Sequence, residues 1–105
     1  IRELVEGFAK TARNVQEAGC DGIEIHGAQG HLIQEFISAF SNQRTDEYGG
    51  SLENRLRLSR EIISAIRDAT SDFIVGYRMG VEEFTPGGIT IRSTCGPRIR
   101  RTAAL

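Results

Sequence analysis

The chain has 105 residues, 39% of them hydrophobic and 26% charged, with a formal net charge of −1. Such values suit one small globular domain and give no global charge for a nucleic-acid or membrane partner. No apolar run approaches bilayer-spanning length, no secretory signal is visible, and Cys20 and Cys95 are too far apart to imply a disulfide framework. The expectation is a cytoplasmic protein with free thiols.

Residues 2–18 carry Leu4, Val5, Phe8, Ala12, Val15 and Ala18 at helical spacing, with charged residues between them. Gly19 suits the position just past a helix end, where a left-handed backbone stops the helix. Residues 22–26, GIEIH, alternate as a strand, with Ile23 and Ile25 on one side and Glu24 and His26 on the other. Residues 30–40 predict a short helix with Leu32, Ile33, Phe36, Ile37 and Phe40 inward. Residues 41–50 are a polar loop that ends in a Gly-Gly turn signal. Ser51 is a good N-cap for a helix running to about Ala69, with Leu52, Leu56, Leu58, Ile62, Ile63 and Ile66 as its apolar positions.

Residues 73–79, FIVGYRM, predict a second strand. Ile74, Gly76 and Arg78 share one face, and Phe73, Val75, Tyr77 and Met79 share the other. Gly76 beneath Arg78 leaves room for something the arginine binds, or marks a close packing contact. Pro86-Gly87-Gly88 is a turn, residues 89–94 suit a strand, and 95–105 read as disordered. The chain thus divides into a patterned segment, 1–90, and an atypical tail, 91–105. Helix–strand–helix–strand with a connection this long implies parallel strands and a right-handed crossover. The fold class is α/β, barrel-like or doubly wound.

The phosphate-loop and dinucleotide fingerprints are absent, as are CxxC and HExxH. The spacing of His26, His31 and Cys20 matches no common metal site, so no metal is expected. All 14 acidic residues lie in 1–83 against nine basic ones, and the remainder holds four arginines and no acid. Those four, Arg92, Arg98, Arg100 and Arg101, lack interleaved aromatics, which argues against a nucleic-acid partner. His26 is the leading candidate for chemistry. It is either a histidine hydrogen-bonded to its loop or a donor at the mouth of a parallel sheet, where an imidazole can hold a developing negative oxygen. Arg78, at the same end of the next strand, can stabilise an electron-rich ring or a phosphate, or pair with Glu24. His31 is a surface helix histidine or a proton donor.

The run from Glu24 to Arg55, EIHGAQGHLIQEFISAFSNQRTDEYGGSLENR, resembles the signature of the old yellow enzyme family. These are flavin-dependent NAD(P)H oxidoreductases, including ene-reductases and dienoyl-CoA-reductase-like proteins. The resemblance stays in register from about Phe8 through Thr90 and includes the YRMG strand. It implies a (β/α)8 barrel that holds FMN at the C-terminal ends of its strands, of which this chain supplies a helix–strand–helix–strand arc. By the same resemblance, His26 binds the carbonyl or other acceptor oxygen of a small-molecule substrate, and Arg78 faces the flavin pyrimidine edge. NAD(P)H then reduces FMN, which passes hydride to an activated alkene. Gln29 stands where the family usually has His or Asn, the second carbonyl donor. His31 stands where Tyr, the proton donor of many members, is usual.

A full barrel of this kind needs roughly 250 residues. The chain begins without a methionine, inside a helical pattern, and its length is well under half of that; both ends look cut. The expectation is therefore a barrel segment that completes its cover by self-association and is inactive alone. The alternative is a non-catalytic α/β fragment that acts as an oligomerising structural or binding module.

Overall fold

Two amphipathic helices and two parallel strands make the frame of this computed structural model, which describes residues 1–92. Helix α1 (Arg2–Glu17) turns Ala9 and Ala12 fully inward, with Leu4, Val5 and Phe8 partly covered. Its end is a Schellman arrangement. The Gly19 amide donates to the Gln16 carbonyl and the Cys20 amide to that of Val15, with Gly19 at φ +90°. A side chain at that φ would strain the backbone, which is why glycine stands there. Ala18, expected on the apolar face, is instead exposed beside this turn.

Strand β1 (Gly22–Gly27) and strand β2 (Ile74–Met79) pair in parallel, with Gly22 opposite Ile74 and His26 opposite Arg78. The connection between them carries α2 (Leu32–Ile37), α3 (Leu52–Arg55) and α4 (Arg57–Ala69). The single helix expected over 51–69 is thus divided at Leu56. Ser51 caps its start as expected, accepting from the Asn54 amide. Ile25 of β1 packs under Ala12 of α1 and Leu58, Ile62 and Ile66 of α4, and Ile33, Ile37 and Ile89 close the core. One face of the sheet is therefore covered by helices. The other carries Glu24, His26, Ile74, Gly76 and Arg78, as the alternation predicted.

The helix expected over 30–40 is shorter and differently turned. Ile33, Gln34, Ile37 and Ser38 are buried, whereas Leu32 is exposed and Phe40 is 59% exposed. Two buried polar side chains replace two expected apolar ones because the carboxylate of Glu83, from a distant segment, meets both, as described below. The polar loop after α2 holds itself. Asn42 Nδ2 donates to the carbonyls of Phe36 and Tyr48 at 2.6 and 2.8 Å, and Arg57 Nε donates to the Glu47 carbonyl at 2.8 Å. The Tyr48 ring meets Phe36 edge-on at 6.4 Å. Ile91 and Arg92 are helical, against the strand expected over 89–94. The disordered tail expected over 95–105 lies outside the described residues.

Candidate functional site

Both strands of a parallel pair end on the same side, and here that side gathers the candidate residues. His26 and Arg78 are register partners, so on adjacent strands their backbones lie about 4.8 Å apart. Both side chains project from the face that no helix among the described residues covers, and both are exposed. Arg78 Nε donates to Glu24 Oε1 at 2.7 Å, the ion pair weighed from the sequence. Among the described residues Glu24 is its one partner, and the terminal guanidinium nitrogens point to no other protein group. An exposed pair of this sort contributes little stability, about 0–1 kcal/mol. It does aim the planar fork across the sheet face.

Gly76 is not forced by packing. A Cβ there would meet the Ile23 carbonyl at 3.5 Å and Glu24 Cα at 3.8 Å, ordinary contacts. The close-packing explanation therefore fails, and its effect is to keep the face beneath Arg78 flat. A permanent planar cation over a flat, open floor fits the electron-rich edge of a ring such as FMN, on the side of the sheet that parallel folds use for ligands.

The segment after β1 brings the other candidates back to His26. Gln29 and Gly30 take φ of +58° and +73°, and the His31 amide closes the turn on the Ala28 carbonyl at 3.3 Å. The turn folds the His31 ring to 4.9 Å from that of His26, centroid to centroid. His26, His31 and Arg78 are thus one cluster, with Gln29 at the tip of the turn between the two histidines. His26 makes no hydrogen bond with protein among the described residues, so its ring nitrogens are available. The partly buried, loop-bonded histidine is not what is observed. No group of three or more metal-ligating side chains forms among the described residues. Cys20 is a free, exposed thiol, and no helix among the described residues is long and apolar enough to cross a membrane.

Sequence reasoning missed a second polar group beneath this cluster. Glu83, from the loop after β2, accepts from Gln34 Nε2 at 2.8 Å, from Ser38 Oγ at 2.5 Å and from the Ile89 amide at 2.8 Å. Burial pushes its carboxyl up, but the bonds from Ser38, Ile89 and Gln34 outweigh that and hold it below the usual carboxylate range. The one available signal was Gln34 and Ser38 at i, i+4 spacing inside an apolar helix.

Two grooves flank the sheet. One, of about 550 Å³, runs along the free edge of β1 between Leu4, Phe8, Ile23 and His26. The other, of about 380 Å³, lies along β2 between Leu56, Ile63, Tyr77 and Met79. A neighbouring strand and helix on each side would fill them, as the next units of a barrel do.

Comparison with known proteins agrees with this geometry. The profile of the NADH:flavin oxidoreductase / NADH oxidase family matches residues 1–103. NADPH dehydrogenase of Geobacillus sp. is 48% identical over 92 residues, which are 88% of this chain and 27% of that protein. The 12-oxophytodienoate reductase 1 of Oryza sativa is 48% identical over 79 residues, 75% of this chain and 21% of that one. The solved structure of a 2-naphthoyl-CoA reductase in complex with 2-naphthoyl-CoA superposes with a TM-score of 0.84 at 34% identity, over 88% of this chain and 14% of the reductase. The chain spans about a quarter of the length of such relatives. Its parallel helix–strand–helix–strand unit is an arc of a (β/α)8 barrel, and the chain belongs to the NADH:flavin oxidoreductase / NADH oxidase family, of the old yellow enzyme type.

Proposed function

We propose that this chain is the arc of an FMN-dependent NAD(P)H oxidoreductase that carries the acceptor-oxygen donor and a flavin-side cation. One observation carries the proposal: His26 and Arg78 stand in register at the C-terminal ends of two parallel strands, on the uncovered face. FMN, when bound, supplies hydride acceptance from the nicotinamide and delivery to an activated alkene or other acceptor. Arg78 holds negative charge at the flavin edge with its free guanidinium nitrogens. His26 donates an imidazole N–H to the acceptor oxygen, and Gln29 offers an amide N–H from the turn tip as second donor. His31, against the His26 ring, is the proton donor on this side.

The described residues give two strands of the eight. A single arc leaves the site open to water, which weakens every such polar contact. We infer that the isolated chain is inactive and self-associates. Ile74 is 71% and Phe84 98% exposed, and each strand offers a free edge beside an apolar groove. Those edges also favour the second reading, a non-catalytic module whose role is assembly.

Transplantation separates the two. Residues 1–92 replace the matching stretch of the Geobacillus NADPH dehydrogenase. The chimera is expected to be yellow and to oxidise NADPH. His26→Ala in it is expected to lower kcat/KM for the acceptor by about 10²–10³, the effect of losing one oxyanion donor. A colourless chimera, or turnover indifferent to His26→Ala, sinks the enzymatic reading.

A further inference from the structure

The turn that carries Gln29 and His31 has a tie from outside it besides its own long Ala28–His31 bond. The Gly30 amide donates to Gln34 Oε1 at 3.1 Å. The same side-chain amide, through Nε2, donates to Glu83 Oε1 at 2.8 Å. Glu83 Oε2 in turn takes Ser38 Oγ and the Ile89 amide, while the Glu83 amide donates back to the Ile89 carbonyl at 2.8 Å. Two parts of the chain far apart in sequence therefore meet on one carboxylate: the loop after β2, and helix α2 with its C-cap, whose Gln34 also reaches back to the turn after β1. Gly80 makes the passage possible, because a Cβ there would lie 2.6 Å from Gln34 Oε1. The Gly80 amide also donates to the Gly27 carbonyl at 3.2 Å, which ties the two strand ends directly.

We propose that Glu83 is a positioning residue that, through Gln34, sets the Gln29–Gly30 turn and so places His31 against His26, with Gln29 at the turn's tip. The proposal rests on the reading above only for the task it gives Gln29 and His31. The relay itself needs neither flavin nor substrate.

The donor pattern makes the claim sharp. A carboxylate accepts at both oxygens, and a glutamine side chain accepts at one end and donates at the other. In Glu83→Gln, the new carbonyl serves Ser38 and Ile89, and the new amide group faces Gln34. Gln34 accommodates it by flipping, which turns its own NH2 toward the Gly30 amide. Two donors then face each other, and the mismatch has moved to the turn. In Gln34→Glu alone, two carboxylates meet where a 2.8 Å hydrogen bond stood. The swap Gln34→Glu/Glu83→Gln restores every bond: the carboxylate at position 34 accepts from Gly30 and from the amide at position 83, whose carbonyl accepts from Ser38 and Ile89. Only a directed relay behaves this way. A carboxylate that merely stabilises the fold would not be rescued by moving its charge to helix α2.

Hydrogen exchange of the 105-residue chain, read by mass spectrometry so that assembly is no obstacle, tests it. Peptides over 28–32 report the turn, and peptides over 58–66 report the core helix. Each single substitution is expected to speed exchange over 28–32 by about tenfold, one hydrogen bond's worth, with 58–66 unchanged. The double swap is expected to return 28–32 to within about twofold of the native rate. No change over 28–32 in Glu83→Gln overturns the proposal. So does equal acceleration over 58–66, or a double swap that is no slower than the singles or does not fold. The transplant activity does not enter these readouts, so the relay and the enzymatic reading fail separately.

Discussion

Arg78→Ala, introduced into the transplanted chimera, is expected to weaken flavin retention by about 10–100-fold, the loss of one charge-assisted hydrogen bond or more. The guanidinium lies on the uncovered face with Nε engaged by Glu24 and its other nitrogens directed to no protein group among the described residues. Removing it takes away the cation and leaves the Glu24 carboxylate facing the same floor. An anionic or electron-rich ring would then meet repulsion where it had met attraction. Arg78→Lys should fall between, since it keeps the charge and loses the planar fork. The folded state should hardly notice either change, because an ion pair this exposed contributes about 0–1 kcal/mol. Flavin absorbance after gel filtration and thermal unfolding of the same samples separate the two effects. Unchanged flavin content in Arg78→Ala would mean that the residue faces something else.

Ile62→Ala in the isolated chain is expected to cost about 2–5 kcal/mol, through lost burial and the cavity left behind. Ile62 is fully buried and shares with Ala12 of α1 and Ile25 of β1 the cluster that joins helices to sheet. A small domain has only about 5–15 kcal/mol in all. The unfolding midpoint should therefore fall by on the order of 10–30 °C, read at fixed protein concentration because assembly shifts it. Ile74→Ala is the informative companion. At 71% exposed, Ile74 should matter by no more than about 0.5 kcal/mol in a monomer. If a second copy covers it, the cost rises towards the roughly 1.5–3 kcal/mol of a buried aliphatic side chain.

What could be read from the sequence is what local chemistry sets. Alternation in GIEIH and FIVGYRM grouped His26 with Glu24 and Arg78 with Ile74 and Gly76, and the parallel register then puts both groups on one face, opposite the buried Ile25. Gly19 and Ser51 marked helix ends through backbone conformations and bonds made within a few residues. Helix α2 was misjudged for a non-local reason. Its spacing allowed either an apolar face with Phe40 or one with Gln34 and Ser38, and the choice is decided by Glu83, 45 and 49 residues away. No periodicity contains that partner. The return of His31 to His26 was hidden likewise, since it depends on a non-glycine residue, Gln29, held at positive φ by a bond its neighbour makes to Gln34. The resemblance implied roles for His26, Gln29, His31 and Arg78, and none for Gln34 or Glu83, although both lie within the matched residues.

Sedimentation velocity of the purified 105-residue chain, with flavin absorbance followed across the boundary and nicotinamide oxidation assayed on the same fractions, bears on the central claim most directly. The arc described here predicts an assembly larger than one chain and no turnover of NADH or NADPH. A folded monomer that carries FMN through the boundary and oxidises nicotinamide would contradict it.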